Sequence, residues 1–249
     1  MKNEELIIRR FREVKALGWV ESHRRNNTGI GKTFEDYVGV VENNLDEPDL
    51  FGYEIKSHRG ESQSYVTLFT KSPSIPQRGA NKYLNDNFGV PYDDNPDLHR
   101  LHTSMFANDF NTFMGKFSFR LINDRANERI TIGVYDLQHN LIDCSVHYTY
   151  ESLRKIFVQK LTNLFYVTAN RRFNNVGNEE FEFINAEIYT DPSFENFLDM
   201  IDAGEIMFDI RIGSYKSGRK YGRPHDHGSG FRIREYMLPK LYATKQEIE

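Results

Sequence analysis

The sequence has a single cysteine, Cys144, which excludes an internal disulfide and any zinc site built from several thiolates. No apolar run is long enough to span a bilayer. The opening stretch, MKNEELIIRRFREVKALGW, is amphipathic and charged and lacks the unbroken apolar core of a signal peptide, so a cytoplasmic protein with no membrane partner is expected. There is no overall excess of positive charge. The formal net charge is −4, which on its own speaks against a nucleic-acid partner. Internal repeats and low-complexity tracts are also missing, which excludes a solenoid and a long disordered linker. What is present is ample core material: 39% hydrophobic and 14% aromatic residues in a chain of 249, enough for one large domain or two small lobes.

The charge is unevenly spread. Between Asp209 and Arg234 there are seven Lys/Arg (Arg211, Lys216, Arg219, Lys220, Arg223, Arg232, Arg234) against two Asp (Asp209, Asp226), with His225 and His227 in addition. A concentrated basic patch governs phosphate binding more than the whole-chain sum does. A solvated, loop-rich face is the plainer alternative.

Helices and strands alternate along the chain. Apolar spacing predicts helices over 3–17, 33–42, 150–165 and 193–203, and a short one near 81–87. Strands are expected over 53–57, 65–70, 116–121, 129–134, 181–189 and 207–212, with the 116–121 and 129–134 pair as a hairpin. The Pro-, Asn- and Asp-rich stretch 72–100 reads as a long functional loop or a partly ordered excursion, and His99 and His102 are assigned to loop. The class is α/β with a mixed sheet flanked by helices.

The segment Pro48-Asp49-Leu50-Phe51-Gly52-Tyr53-Glu54-Ile55-Lys56 concentrates reactive groups. On a strand, alternate residues share a face, so Glu54 and Lys56 point one way while Tyr53 and Ile55 enter a core. Asp49 precedes a Gly-containing turn and can fold back toward the same spot. Two carboxylates suit a hard cation such as Mg²⁺. A neighbouring lysine suits the charge that develops when water attacks a phosphodiester. Asp49, Glu54 and the Ile55 carbonyl would be the ligands, and Lys56 would orient water or stabilise the transition state. This is the arrangement of PD-(D/E)XK nucleases. An edge strand with a surface Glu/Lys pair is the ordinary alternative.

Upstream, Gly31-Lys32-Thr33 suggests a phosphate loop, but that loop requires glycine where Asn26 stands and a hydrophobic strand before it. The better reading is a Gly-rich lead into a helix carrying Glu35, a third acid for the metal centre; a solvated first-turn glutamate is the alternative. His225 and His227 could share a strand face and bind a metal, but no third ligand is evident and their basic surroundings favour contact with DNA bases; a surface turn is the ordinary alternative.

Several blocks taken together resemble the MvaI/BcnI family of type II restriction endonucleases, related to the mismatch-repair nicking enzyme MutH. They are NNTGIGKTFED (26–36), ENNLDEPDLFGYEIKSH (42–58), TLFTKSP (67–73) with RGAN (78–81), and DIRIGSYKSGRKYGRPHDHGSGFRI (209–233). The resemblance covers most of the chain; residues 100–180 match mainly in pattern. It implies a PD-(D/E)XK fold in a single domain, 1–249, whose two lobes form a DNA clamp. The catalytic lobe is expected at about 1–115 and the mainly recognition lobe at 116–249. It implies a monomer, needing Mg²⁺, that cuts duplex DNA at a CC-x-GG-like site one strand per binding event. Mn²⁺ would substitute and Ca²⁺ would support binding without cleavage. A DNA methyltransferase of the same specificity is expected in the same cell. The catalytic residues fall on Asp49, Glu54 and Lys56 with Glu35 as accessory acid, minor-groove contacts near Lys71 and His58, and major-groove readers on Asp209, Arg211, Tyr215, His225, His227 and Arg232. A MutH-like nickase, a non-catalytic DNA-binding protein and a P-loop NTPase are the rival readings.

Overall fold

The computed structural model describes residues 3–25, 29–40, 50–59 and 64–248. By packing, the chain divides into two units. Unit 1 holds residues 1–64, 158–193 and 235–249, and unit 2 holds 65–157 and 194–234. Each unit is therefore assembled from separated stretches, in contrast to the chain-order division near residue 115 expected from sequence.

Unit 1 is a mixed sheet with helices on one face. Its strands run in the order Trp19–Glu21, Glu179–Pro192, Asn163–Phe173 and Tyr53–Arg59, with Tyr242–Ile248 also paired to Glu179–Pro192. Tyr53–Arg59 pairs with Asn163–Phe173 in parallel. A parallel pair needs a crossover, and here the whole 65–157 stretch of unit 2 intervenes in sequence. Helix α1 (Asn3–Lys15) and helix α2 (Gly29–Val38) supply Ile7, Phe11, Val14, Ile30, Phe34 and Val38 to a core shared with Tyr53, Ile55, Phe165, Val167, Phe181 and Phe183. Phe11, Phe34 and Phe165 are fully buried and in mutual ring contact. Burying each such side chain stabilises the fold by roughly 1.5–3 kcal/mol.

Unit 2 carries two antiparallel sheets. The larger runs Tyr65–Thr70, Gly230–Arg234, Ile206–Ser214, His99–Met105 and Val90–Pro91, with Pro224–Asp226 also on Ile206–Ser214. Phe208, Ile210 and Ile212 sit opposite Met105, Thr103 and Leu101, and this side faces the core with Phe69, Tyr148 and Phe231. The second sheet contains the expected hairpin of Phe117–Asp124 and Arg129–Tyr135. Helices α3 (Ala80–Phe88), α4 (Tyr150–Lys160) and α5 (Phe194–Asp202) complete the helical set among the described residues, beside short 3₁₀ turns.

Three expectations need correction. The helix expected over 150–165 ends at Lys160, and Leu164 and Phe165 lie on the strand Asn163–Phe173. That strand is central, paired on both sides and largely buried in its first half, so its apolar run is continuous and mimics helical spacing. The helix expected from residue 33 begins at Gly29, so Gly31, Lys32 and Thr33 lie inside it rather than before it. His99 and His102 belong to the strand His99–Met105, not to a loop, and at an odd spacing they face opposite sides of it.

Candidate functional site

In unit 1 the chain reverses just after position 49. Leu50 and Tyr53 exchange backbone hydrogen bonds of 2.9 and 3.2 Å, with Phe51 (φ 52°) and Gly52 (φ 86°) between them. Positive φ at both central residues is what a tight type I′ hairpin turn demands, and glycine meets it at the second position without strain. The turn delivers Tyr53 and Ile55 to the helix-covered core, 6% and 2% exposed. Glu54 and Lys56 emerge on the other face, where Lys56 Nζ donates to Glu54 Oε1 at 2.5 Å. Their side chains are 32% and 38% exposed, half-open to solvent. Asp49 lies outside the described residues.

The Glu54 face continues across the sheet through polar groups. His58 stacks on Tyr166 at 4.2 Å, and its Nε2 is 2.8 Å from Thr168 Oγ1. Tyr166 and Thr168 pair in register with Lys56 and His58. Farther along, Glu187 accepts from Tyr189 Oη at 2.6 Å and forms an ion pair with Lys245 at 2.8 Å. Burial raises the Tyr166 and Tyr242 hydroxyls well above the ordinary tyrosine range, for Tyr242 with a further contribution from the Glu54 charge, so both remain protonated donors.

Glu35 is carried by α2, whose apolar side packs on the Tyr53/Ile55 face. The neighbouring Lys32 and His23 both hold Asp36, at 2.8 and 3.0 Å, and lower its carboxyl below the usual value. Thr33 is fully buried, donating to the Gly29 carbonyl at 2.7 Å and accepting from His23 N at 2.9 Å. A threonine so committed cannot serve a nucleotide-bound metal, which removes the phosphate-loop reading.

The donor chemistry fits a hard cation. Glu54 offers a carboxylate on a half-open polar face with a lysine beside it, and neither cysteine nor histidine competes within the motif. Among the described residues no three His, Cys, Asp or Glu side chains gather as a ligand set.

Unit 2 gathers polar residues on the solvent side of its larger sheet. Asp209, 7% exposed, is the centre. It accepts from Arg211 Nε at 2.6 Å and from Ser104 Oγ at 3.0 Å. Arg232 Nε lies 2.9 Å away, an ion pair not aligned as a hydrogen bond. The Arg232 guanidinium also donates to Thr67 Oγ1 at 2.6 Å and to the Gly228 carbonyl at 3.2 Å. Its side chain is 13% exposed against 47% for Arg211, so Arg211 is the more available of the two. Aromatic rings continue this face. Tyr215 stacks on His225 at 4.4 Å, His225 lies 4.1 Å from His227, and His227 meets His102 edge-on at 6.0 Å. Asp226 builds the turn beneath them, accepting from Gly228 N at 3.0 Å, Ser229 N at 2.7 Å and Asn81 Nδ2 at 2.9 Å. Gly213 leaves room for the rings: a Cβ there would stand 2.6 Å from Tyr92 Oη and 3.1 Å from His227 Nε2. His102, Ser104, Asn111, Met114, Asp209, Arg211 and His227 line an open cleft of about 720 Å³.

The sequence-derived readers Asp209, Arg211, Tyr215, His225, His227 and Arg232 thus come together in unit 2. Lys71 also belongs to unit 2, where its carbonyl accepts from Tyr148 Oη at 2.9 Å, whereas His58 belongs to unit 1. Sequence reasoning missed Thr67, His102 and Ser104. Only the strand pairing identifies them, through the registers Arg232↔Thr67, Arg211↔His102 and Asp209↔Ser104.

Among the described residues no helix is long and apolar enough to cross a membrane. No curated protein matches the chain. A family model described as the MvaI/BcnI restriction endonuclease family matches residues 8–242. Among solved structures, the chain is similar to a complex of the restriction endonuclease MvaI with its cognate DNA substrate. Identity is 34%, coverage is 98% of each chain and the TM-score is 0.79. It is likewise similar to MvaI in the absence of DNA, at 34% identity over 100% of this chain and 98% of the other, with a TM-score of 0.74. The chain belongs to the MvaI/BcnI restriction endonuclease family, a PD-(D/E)XK-like mixed α/β fold, and its enzyme class is type II site-specific deoxyribonuclease.

Proposed function

We propose that the enzyme hydrolyses phosphodiesters of duplex DNA at a short CC-x-GG-like sequence, as a monomer that nicks one strand in each binding event. The observation that carries this reading is the pairing of Glu54 with Lys56 on the open face of a strand whose other face is core. The MvaI–cognate DNA complex, similar over 98% of each chain, supports duplex DNA as the substrate.

Mg²⁺ would be held by the Asp49 and Glu54 carboxylates and the Ile55 carbonyl; when bound it lowers the pKa of water and offsets charge on the phosphate oxygens. Lys56 keeps a cationic N–H donor beside that carboxylate, suited to an anionic oxygen in the transition state. Glu35 is the accessory acid. Mn²⁺ would replace Mg²⁺, and Ca²⁺ would support binding without cleavage. His58 and Lys71 are assigned to minor-groove contacts. Asp209, Arg211, Tyr215, His225, His227 and Arg232 are assigned to the major groove, where Arg pairs with guanine N7/O6 and Asp accepts from cytosine N4. A cytoplasmic location, and a methyltransferase protecting the same sites, follow from a restriction role.

Asp49→Ala is the test. The variant should lose cleavage in Mg²⁺ and keep sequence-specific binding in Ca²⁺. Mg²⁺-dependent cutting by the variant would remove Asp49 from the active site.

A further inference from the structure

We propose that His102 is an additional base-contacting residue that determines specificity in the cleft of unit 2. The inference deepens the DNA-reading assignment of that cleft and rests on it.

The strand register places His102 directly opposite Arg211, on the same face as Ser104 and Asp209. Its ring closes the row Tyr215–His225–His227–His102, and it lines the cleft together with Asp209, Arg211 and His227. The side chain is exposed, whereas the alternate residues Leu101, Thr103 and Met105 are buried. Only the backbone of the strand is needed to hold the sheet together, and an exposed imidazole adds nothing to the core.

The chemistry of the neighbours favours a further acceptor. Arg211 and Arg232 can only donate. Asp209 can accept, but Arg211 and Ser104 take two of its acceptor sites and Arg232 lies in ion-pair contact, so it leaves few acceptors for a second base. A neutral imidazole supplies one acceptor and one donor. Partial desolvation, then the nearby His227, Arg100 and Arg211, lower the His102 pKa, and Asp209 opposes them. The ring is therefore neutral at neutral pH and presents a lone pair in a cleft rich in donors. That lone pair suits the amino edge of cytosine or adenine in the major groove.

The experiment uses the full-length enzyme as His102→Ala and His102→Asn, with Arg211→Ala in parallel. The DNA is a duplex carrying the site mapped for the wild type, together with its single-base-pair variants. Binding is measured in Ca²⁺ and cleavage in Mg²⁺, and thermal melting establishes that each variant is folded. His102→Ala should lose discrimination by roughly 10-fold or more at one base pair, with affinity for unrelated duplex unchanged. His102→Asn, which keeps an acceptor, should restore part of it. Wild-type discrimination at every position in both His102 variants would overturn the inference. If Arg211→Ala relaxes specificity and the His102 variants do not, His102 is not a reader while the cleft is. If no variant relaxes it, the reading of the cleft falls as well.

Discussion

Asp209 and Arg211, two positions apart on one strand, are joined by a 2.6 Å hydrogen bond in which the arginine Nε donates to the carboxylate. The acid is buried and the guanidinium half-exposed. The bond uses Nε, so the terminal Nη groups carry the donors that a bidentate contact to guanine would use. Asp209 is thus both a candidate reader and the group that orients two others.

Removing that carboxylate should be costly. Asp209→Asn leaves Arg211 and Arg232 side by side with no counter-charge, in a setting where Asp209 and Arg232 are mostly buried. Breaking such a pair costs on the order of 3 kcal/mol. Urea denaturation of the variant should show a loss of that size. A loss below about 1 kcal/mol would mean the carboxylate does not balance the two guanidiniums.

Gly213 tests the space around the histidine row. A Cβ at this position meets Tyr92 Oη at 2.6 Å. Tyr92 Oη also accepts from Ser214 N at 3.3 Å, so the phenol cannot retreat without losing that contact. Gly213→Ala should destabilise by about 1–3 kcal/mol and weaken specific DNA binding more than non-specific binding. Equal losses on cognate and unrelated duplexes would show that the row contributes no sequence discrimination.

Lys56 tests the cutting site. Lys56→Ala removes the amino group that donates to Glu54. Turnover in Mg²⁺ should fall by roughly 10²–10³-fold, the usual scale for losing a donor to developing negative charge. Site-specific binding in Ca²⁺ should persist. Near-wild-type turnover would exclude Lys56 from the chemistry.

Glu187 predicts part of the acid sensitivity. Burial pushes its carboxyl up, but hydrogen bonds from Lys245 and Tyr189 outweigh this and leave it below the usual value of 4.5. A carboxylate with a depressed folded pKa contributes stability above its unfolded pKa and loses it as pH falls through the folded pKa. Wild type should therefore melt above Glu187→Gln at neutral pH, and the gap should close as the pH falls below the usual glutamate value of 4.5 and through the lower folded value. A gap independent of pH would mean the ion pair is not responsible.

The Glu54–Lys56 strand is the more legible in sequence. Alternation puts Tyr53 and Ile55 inside and Glu54 and Lys56 outside, and local geometry is sufficient to see it. The hairpin turn at Phe51-Gly52 was marked by its glycine. The Asp209 cleft is only partly legible. The basic segment was visible, but its partners Thr67, His102 and Ser104 come from strands distant in sequence, and register is set by tertiary pairing. The His99–Met105 strand was hidden because prolines and acids crowd the residues just before it. The start of Asn163–Phe173, residues 163–165, reads as the end of a helix because a central strand loses the period-two signal when both faces are covered.

If the proposal holds, this protein cuts DNA at one short sequence. Digestion of an unmethylated plasmid of known sequence by the pure protein in Mg²⁺, followed by sequencing of every cut end, tests it most directly. Double-strand breaks whose ends all map to a single CC-x-GG-like sequence are expected. Ends scattered without a common sequence, or nicks that never mature to breaks, would contradict it.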